Sequence, residues 1–202
     1  MAWEMTLLDL AERAGIAVPA RQLVGVGEWR ALLLARFDRV AGRRLSYISA
    51  MTLVGGTDGS SYDDLEVAER LAGIGASVAT DLRSPWRRIA FRLAVNNTDD
   101  HVRNHGFLRS GAGWTLSPIF DVNPDPDPLA SHATSIGYAG TVAEGRDALR
   151  SNRAESGLSG ETAEHVAGEV WTAVSSWRAV ATRYGISPSE QDLFRDAFAP
   201  PQ

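Results

Sequence analysis

Residues 96–121, NNTDDHVRNHGFLRSGAGWTLSPIFD, are the stretch that decides the fold. They set carboxylates, amides, two imidazoles and two guanidinium groups between two apolar segments, 89–95 and 119–120. Polar groups this dense between buried flanks are costly to desolvate unless they bind something. A solvated turn explains Asn97, Thr98 and Asp99, because these residue types favour turns. It does not explain the isolated acid Asp121, which follows a strand-like run. We therefore predict a functional site here.

The spacing of three side chains in this stretch suits phosphoryl transfer. Asp99 is followed five residues later by Asn104, and Asp121 comes after a predicted hairpin. In phosphoryl transfer one carboxylate accepts the proton of the attacking hydroxyl, while an amide oxygen and a second carboxylate hold Mg²⁺ against the phosphates. The kinase catalytic loop has the same acid-to-Asn spacing. Mg²⁺ prefers hard oxygen ligands, which Asn104 and Asp121 can supply.

Two runs in this stretch, NTDDHVRN and then WTLSPIFDV, resemble the catalytic core of HipA-type serine/threonine kinases, the toxins of bacterial toxin–antitoxin pairs. The resemblance implies ATP and Mg²⁺ as cofactors and transfer of the γ-phosphoryl group to a protein Ser or Thr. It implies that Asp99, His101 and Arg103 are catalytic and that Asn104 and Asp121 are the magnesium ligands. Arg103 stands where the family usually has Lys, so its charge is kept but its geometry differs.

The resemblance extends upstream, over most of the chain. GIAVPARQL and LLLARFDR are similar to the family's segments that enter and form the hinge at adenine. It implies that backbone atoms of Ala35, Arg36 and Phe37 meet adenine and that Asp38 lies near the ribose. Glu4 stands where the family has a glutamate that pairs with a strand lysine. A solvated first-turn acid favoured by the helix dipole is the other interpretation of Glu4.

The chain departs from the family in its basic residues. All 20 of them are arginines, so the sequence contains no lysine that could contact the ATP phosphates. A complete member has a Gly-rich loop and a lysine before its first helix, and this sequence begins at what resembles that helix. The glycine run over 54–59 lies after the hinge and leads to no Lys-Ser/Thr. A fragment, a degenerate product and half of a split enzyme remain open, and so does a catalytically inactive pseudokinase or partner-binding lobe.

Partners are implied only by the resemblance. They are a protein substrate such as an aminoacyl-tRNA synthetase, an antitoxin protein, and a second chain that supplies the missing N-lobe. The net charge of −5 argues against direct nucleic-acid binding, which wants a basic face. No cysteine is present, which fits a reducing cytoplasm. No apolar run approaches the roughly 20 residues that span a membrane.

The predicted fold class is α+β and protein-kinase-like. A partial N-lobe over 1–40 precedes a mainly α-helical C-lobe over 41–202 that carries a catalytic β-hairpin at 106–108 and 114–116. Helices are predicted over 3–14, 62–74, 86–95, 158–183 and 187–198, and strands over 22–26 and 31–37. Ser84 and Pro85 are expected to start the third helix as N-cap and first residue. Its Arg87, Arg88 and Arg92 are expected to face solvent, and the run 32–34 to be buried on both sides.

Three other kinds of site remain as alternatives. Asp121, Asn123, Asp125 and Asp127 alternate as in a calcium loop, but Pro126 and His132 stand where an EF-hand needs Gly and Glu. His101 and His105 could share a zinc ion, but no third ligand is evident. A Ser-His-Asp hydrolase lacks its Gly-x-Ser-x-Gly elbow.

Overall fold

The computed structural model describes residues 1–57, 60–75, 78–154 and 157–198. The glycine-rich run over 54–59 therefore lies partly outside the described residues. The helices are α1 (Ala2–Arg13), α2 (Ala50–Val54), α3 (Asp64–Ile74), α4 (Val78–Ala94), α5 (Val142–Ser151), α6 (Gly160–Val174), α7 (Trp177–Arg183) and α8 (Pro188–Leu193). The strands are β1 (Arg21–Val26), β2 (Trp29–Leu34), β3 (Arg39–Val40), β4 (Arg43–Arg44), β5 (Tyr47–Ser49), β6 (Tyr62–Asp63), β7 (Gly106–Ser110), β8 (Gly113–Leu116) and β9 (Thr134–Ser135). The α+β class predicted from the sequence is confirmed.

One large apolar cluster joins the first helix to the later ones. Leu7, Leu8 and Leu10 of α1 are fully buried in it, together with residues of α4, α6 and α7. The apolar spacing of α1 correctly predicted this helix, and Gly15, with φ of 73°, ends it in the left-handed region that glycine adopts at no steric cost. The N-terminal helix is thereby fixed to the helical body of the protein.

The hairpin β1–β2 lies on α1 by one face only. Leu32 and Leu34 pack against the core, while Leu33 is 54% exposed. The prediction that 32–34 are buried on both sides is wrong, because the two strands pair only with each other and alternate side chains of β2 point into solvent. The strand also ends at Leu34 rather than Phe37.

Helix α4 is longer than its sequence signals predicted. It begins at Val78 and contains Pro85 in its interior, so Ser84 and Pro85 do not start it. Tertiary packing overrides the local signal: Trp86, Phe91 and Leu93 are all buried. The C-terminal half of the helix is thus buried on nearly all of its faces. It leads directly into the loop that carries Asp99.

Other element boundaries were also wrong. Asp63 caps α3, accepting a hydrogen bond from the Leu65 amide at 3.0 Å, so this helix starts two residues later than predicted. Tyr62–Asp63 instead pair in parallel with Thr134–Ser135. The predicted helix over 158–183 is divided in two after Val174, and α5 was not predicted although Thr141 and Glu144 form a capping box.

The predicted hairpin is present and belongs to a three-stranded sheet. β7 pairs with β8 and, on its other side, with β5, which leads directly into α2. Ser49 caps α2 with its hydroxyl at 3.2 Å from the Thr52 amide. In the described part of the chain, no helix is long and apolar enough to cross a bilayer.

Candidate active site

The loop after α4 forms a compact turn closed by its own backbone. Asn96 has a φ of 49°, a left-handed conformation that asparagine tolerates, and the helix ends there. The His101 amide donates to the Asp99 carbonyl at 3.1 Å, and the Asn104 amide donates to the His101 carbonyl at 2.8 Å. The Asn104 Nδ2 also donates to the Asp99 carbonyl at 3.3 Å. The amide NH₂ group is a donor only, so Oδ1 is the atom of this side chain that could bind a cation.

The same loop is linked to the segment that follows Asp121. The side-chain amide of Asn96 donates to the Asp125 carbonyl at 2.8 Å, and the Thr98 hydroxyl donates to the Asp125 carboxylate at 2.7 Å. The Asn123 backbone amide donates to the Asn97 side chain at 3.4 Å. The two parts of the sequence that resemble the kinase core are thus held against each other by the amides and hydroxyl that precede Asp99.

Asp121 is an exposed acid between two buried residues, Ile119 and Val122. Its φ of 56° lies in the left-handed region, which is uncommon outside glycine and asparagine. Its backbone lies against the carboxylate of Glu4 on α1, and Glu4 is only 9% exposed. Burial, and next the charge of Asp121, raise the pKa of Glu4. The solvated interpretation of Glu4 is therefore wrong.

The predicted adenine segment lies beside this acid. The Phe37 ring is 5.6 Å from that of Phe120, which precedes Asp121. The Ala35 amide is already used, since it donates to the Ala20 carbonyl at 2.8 Å. Arg36 binds Asp38 through two hydrogen bonds of 2.8 and 2.7 Å, and these chiefly lower the pKa of Asp38. The Asp38 carboxylate is thus paired with Arg36, and a ribose hydroxyl that bound Asp38 would have to displace the Arg36 guanidinium.

His101 and Arg103 occupy different surroundings on the loop. The His101 ring is partly buried, and its Nδ1 is buried without a hydrogen-bond partner among the residues described. Arg103 is exposed.

Sequence reasoning missed a set of buried charges behind the loop, which we term the buried charge cluster: Asp64, Arg88, Arg92, Asp100 and His105. Arg92 lies 2.8 Å from Asp64 and 3.9 Å from Asp100, and His105 lies 3.2 Å from Asp100. Arg88 donates to the Ser117 carbonyl, and burial lowers its pKa to about 10.

The prediction that Arg88 and Arg92 face solvent is wrong, since they are 5% and 2% exposed. Arg87 is partly buried and donates to the Ala14 carbonyl at 2.7 Å. The doublet Asp99–Asp100 is a weak sequence signal for the cluster, because neighbouring carboxylates in a loop can take different surroundings.

The predicted ligands Asn104 and Asp121 are of the type that suits magnesium rather than zinc or calcium. In the described ranges no group of three or more His, Cys, Asp or Glu side chains could hold a metal ion, so the zinc and calcium alternatives find no support. One amide oxygen with one carboxylate is the small protein contribution that Mg²⁺ normally takes. A cation at Asp121 would also relieve the repulsion between this carboxylate and that of Glu4.

Comparisons with known proteins identify the family and the fold of the chain. The model of the HipA-like C-terminal domain matches residues 1–178. The fold is similar to HipA of Shewanella oneidensis MR-1, solved with HipB and operator DNA (TM-score 0.68, 17% identity), covering 97% of this chain and 53% of that one. It is also similar to the proinflammatory kinase CtkA of Helicobacter pylori (TM-score 0.56, 12% identity), covering 90% and 86%. No curated protein sequence matches. The chain thus spans about half the length of that HipA.

Proposed function

We propose, from the premise that this chain belongs to the family of HipA-like C-terminal domains, that it is the catalytic portion of a serine/threonine kinase. The observation that carries the proposal is the link between the loop of Asp99 and Asn104 and the segment of Asp121 through Asn96, Asn97 and Thr98. These bonds hold together the two segments from which phosphoryl transfer needs its carboxylates and amide.

In the proposed reaction the exposed Asp99 accepts the proton of a protein Ser or Thr hydroxyl. The hydroxyl oxygen attacks the γ-phosphorus of ATP, and ADP leaves. Asn104 Oδ1 and the Asp121 carboxylate would hold Mg²⁺, which supplies neutralisation of charge on the phosphates. Arg103 contacts a phosphate, and His101 orients the loop. Backbone groups of 35–37 meet adenine, with Asp38 near the ribose.

The partners belong to the same proposal. The solved HipA was crystallised with HipB and operator DNA, which supports an antitoxin as a partner of this chain. A translation component such as an aminoacyl-tRNA synthetase is the substrate class that the family suggests. The Gly-rich loop and lysine would come from residues outside this sequence, for example from a second chain. We further propose residues 1–40 as part of an N-lobe, residues 41–202 as the C-lobe and the cytoplasm as the location.

A catalytically inactive lobe that binds a partner is the second candidate. The absence of lysine from the whole sequence favours it, because a lysine normally contacts the ATP phosphates in kinases. The two candidates differ in nucleotide binding. ATP with Mg²⁺ at 100 times its Kd should stabilise a nucleotide-binding domain by about 2.7 kcal/mol, whereas an inert lobe should show no shift in Tm.

The chemistry is tested by replacing the proposed base. Asp99→Asn should lower the rate of autophosphorylation or substrate labelling by at least about 100-fold, because general-base catalysis contributes about 10²- to 10⁴-fold. Its Mg²⁺–ATP stabilisation should persist, since Asp99 is not a proposed metal ligand. Asp147→Asn is the matched control, an exposed acid on α5. Equal labelling by the Asp99 variant and the control would remove Asp99 from this role.

A further inference from the structure

Two neighbouring acids of the loop have opposite surroundings. Asp99 is exposed, while Asp100 is buried, with its Oδ2 3.2 Å from His105 Nε2 and 3.9 Å from Arg92 Nη1. The phosphotransfer chemistry proposed above uses Asp99 and gives Asp100 no part. A buried carboxylate with cationic neighbours costs desolvation free energy, so its place behind the loop calls for a physical reason.

Asp100 and His105 enclose the part of the loop that carries Asn104. Their contact joins the two ends of a six-residue span, 100–105. Asn104 lies inside this span, and Asp99 directly precedes it. The far end of this span is fixed to α2, because the Ala50 amide donates to the His105 carbonyl at 2.8 Å. The near end faces Arg92 of α4, whose Nη1 lies 3.9 Å from the Asp100 carboxylate. The contact therefore acts as a clasp across the turn.

The charges in the clasp reinforce each other. Burial alone would raise the pKa of Asp100, but the charge of His105, followed by those of Arg92 and Arg88, holds it below the ordinary value. The Asp100 carboxylate thus faces basic side chains from two parts of the chain. They are Arg88 and Arg92 of α4, and His105 at the end of the loop.

We infer that Asp100 is a positioning residue, which fixes the turn that presents Asp99 and the Oδ1 of Asn104. The inference rests on the proposed function for the roles of those two groups. Asp64 offers a matched comparison, since it is equally buried and lies 2.8 Å from the same Arg92. It belongs to α3, however, and has no position in the turn. Loss of either carboxylate leaves Arg92 short of a buried partner, but only loss of Asp100 opens the clasp.

The test compares Asp100→Asn with Asp64→Asn in the full chain. The first readout is hydrogen exchange of the His101 and Asn104 amides, both of which donate within the turn. Asp100→Asn should speed their exchange at least about tenfold beyond the change in global stability, because it raises the population of locally opened turns. Asp64→Asn should change their exchange only in step with global stability. Equal effects of the two variants would overturn the inference.

The second readout is the dependence of ATP affinity on Mg²⁺, measured by calorimetry. Groups that orient a metal ligand typically contribute about 10- to 100-fold to metal affinity. We expect a loss of that size for Asp100→Asn and none for Asp64→Asn. If the unmodified chain binds no Mg²⁺–ATP, the proposed function fails, while the exchange comparison still decides whether Asp100 positions the turn.

A folding failure of Asp100→Asn is covered by a second variant. His105→Gln opens the same clasp from its other end and leaves the Asp100 carboxylate facing Arg92. Faster exchange of the His101 and Asn104 amides in this variant supports the inference. Exchange that follows global stability alone contradicts it.

Discussion

His132 shows how strongly burial acts on single ionisable side chains in this protein. Both of its ring nitrogens are buried and have no hydrogen-bond partner among the described residues. Burial, followed by the charge of Arg92, lowers the pKa of His132 to about 4. The ring is therefore neutral at pH 7, and the unfolded chain binds a proton at this position at higher pH than the folded protein does.

This difference predicts a dependence of stability on pH. Below the unfolded-state value of about 6.5, the unfolded His132 is protonated and the folded one is not, so the free energy of unfolding falls as the pH falls towards 4. After allowance for partial exposure of the ring, wild type should lose about 1 to 2 kcal/mol more than His132→Gln between pH 7 and pH 4.5. Urea unfolding at the two pH values measures this, and parallel losses would contradict it.

Helix α4 is the element that delivers the active-site loop, and it carries a proline in its interior. Pro85 has no amide hydrogen, so the helix lacks one backbone hydrogen bond one turn before Arg88. Buried residues such as Trp86 and Phe91 keep the helix in place despite this loss. Tertiary packing therefore outweighs a strong local signal.

Pro85→Ala should stabilise the protein by about 1 to 2 kcal/mol, because the regained hydrogen bond outweighs the greater freedom of the unfolded chain. Pro188→Ala is the matched control: this proline is at the first turn of α8, where its missing amide hydrogen costs nothing. It should give no gain. Thermal unfolding compares the two, and a destabilised Pro85→Ala would mean that the packing of α4 requires the proline.

At the scale of the whole molecule, an aromatic cluster ties the first helix to the last residues described. The Trp3 ring lies 4.3 Å from Phe194, and Trp177 stacks on Phe198 at 4.3 Å. The Trp3 indole also donates to Glu190 at 2.9 Å. Sequence-distant segments are thus joined in the large apolar cluster, so we expect α1 and the C-terminal helices to unfold together.

Trp3→Ala should lower the free energy of unfolding by about 2 to 4 kcal/mol, as expected for loss of a large, mostly packed aromatic side chain. Trp29→Ala is its control, because Trp29 on β2 is 79% exposed. That variant should change stability by no more than about 0.5 kcal/mol. Urea denaturation followed by circular dichroism separates them, and similar losses would show that the cluster does not join the ends of the chain energetically.

The sequence was sufficient for the family, the α+β class and the local motif. Asp99, Asn104 and Asp121 were chosen because their residue types and spacing carry recognisable chemistry, and their roles remain predictions. Helix α1 and the hairpin β7–β8 were correct because their apolar patterns and turns are local. Helix α5 was missed although its capping box was present, because its buried residues are few.

Errors arose where distant residues decided the outcome. Arg88 and Arg92 were placed in solvent since arginine is rarely buried without a partner. The partners of Arg92 come from α3 and the loop, and that of Arg88 is the Ser117 carbonyl after β8. Leu33 was placed in the core because an apolar run does not reveal that its sheet has only two strands. No pattern within either segment contains this information.

By itself, the sequence determined which chemistry this protein could carry, because residue type and spacing fix the available donors, acids and helix faces. Only the tertiary structure decided that Asp100 turns inward while Asp99 stays exposed, and that Glu4 lies against Asp121. The physical reason is that burial and charge pairing depend on groups far apart in the chain, whose desolvation and Coulomb free energies exist only once the elements have packed.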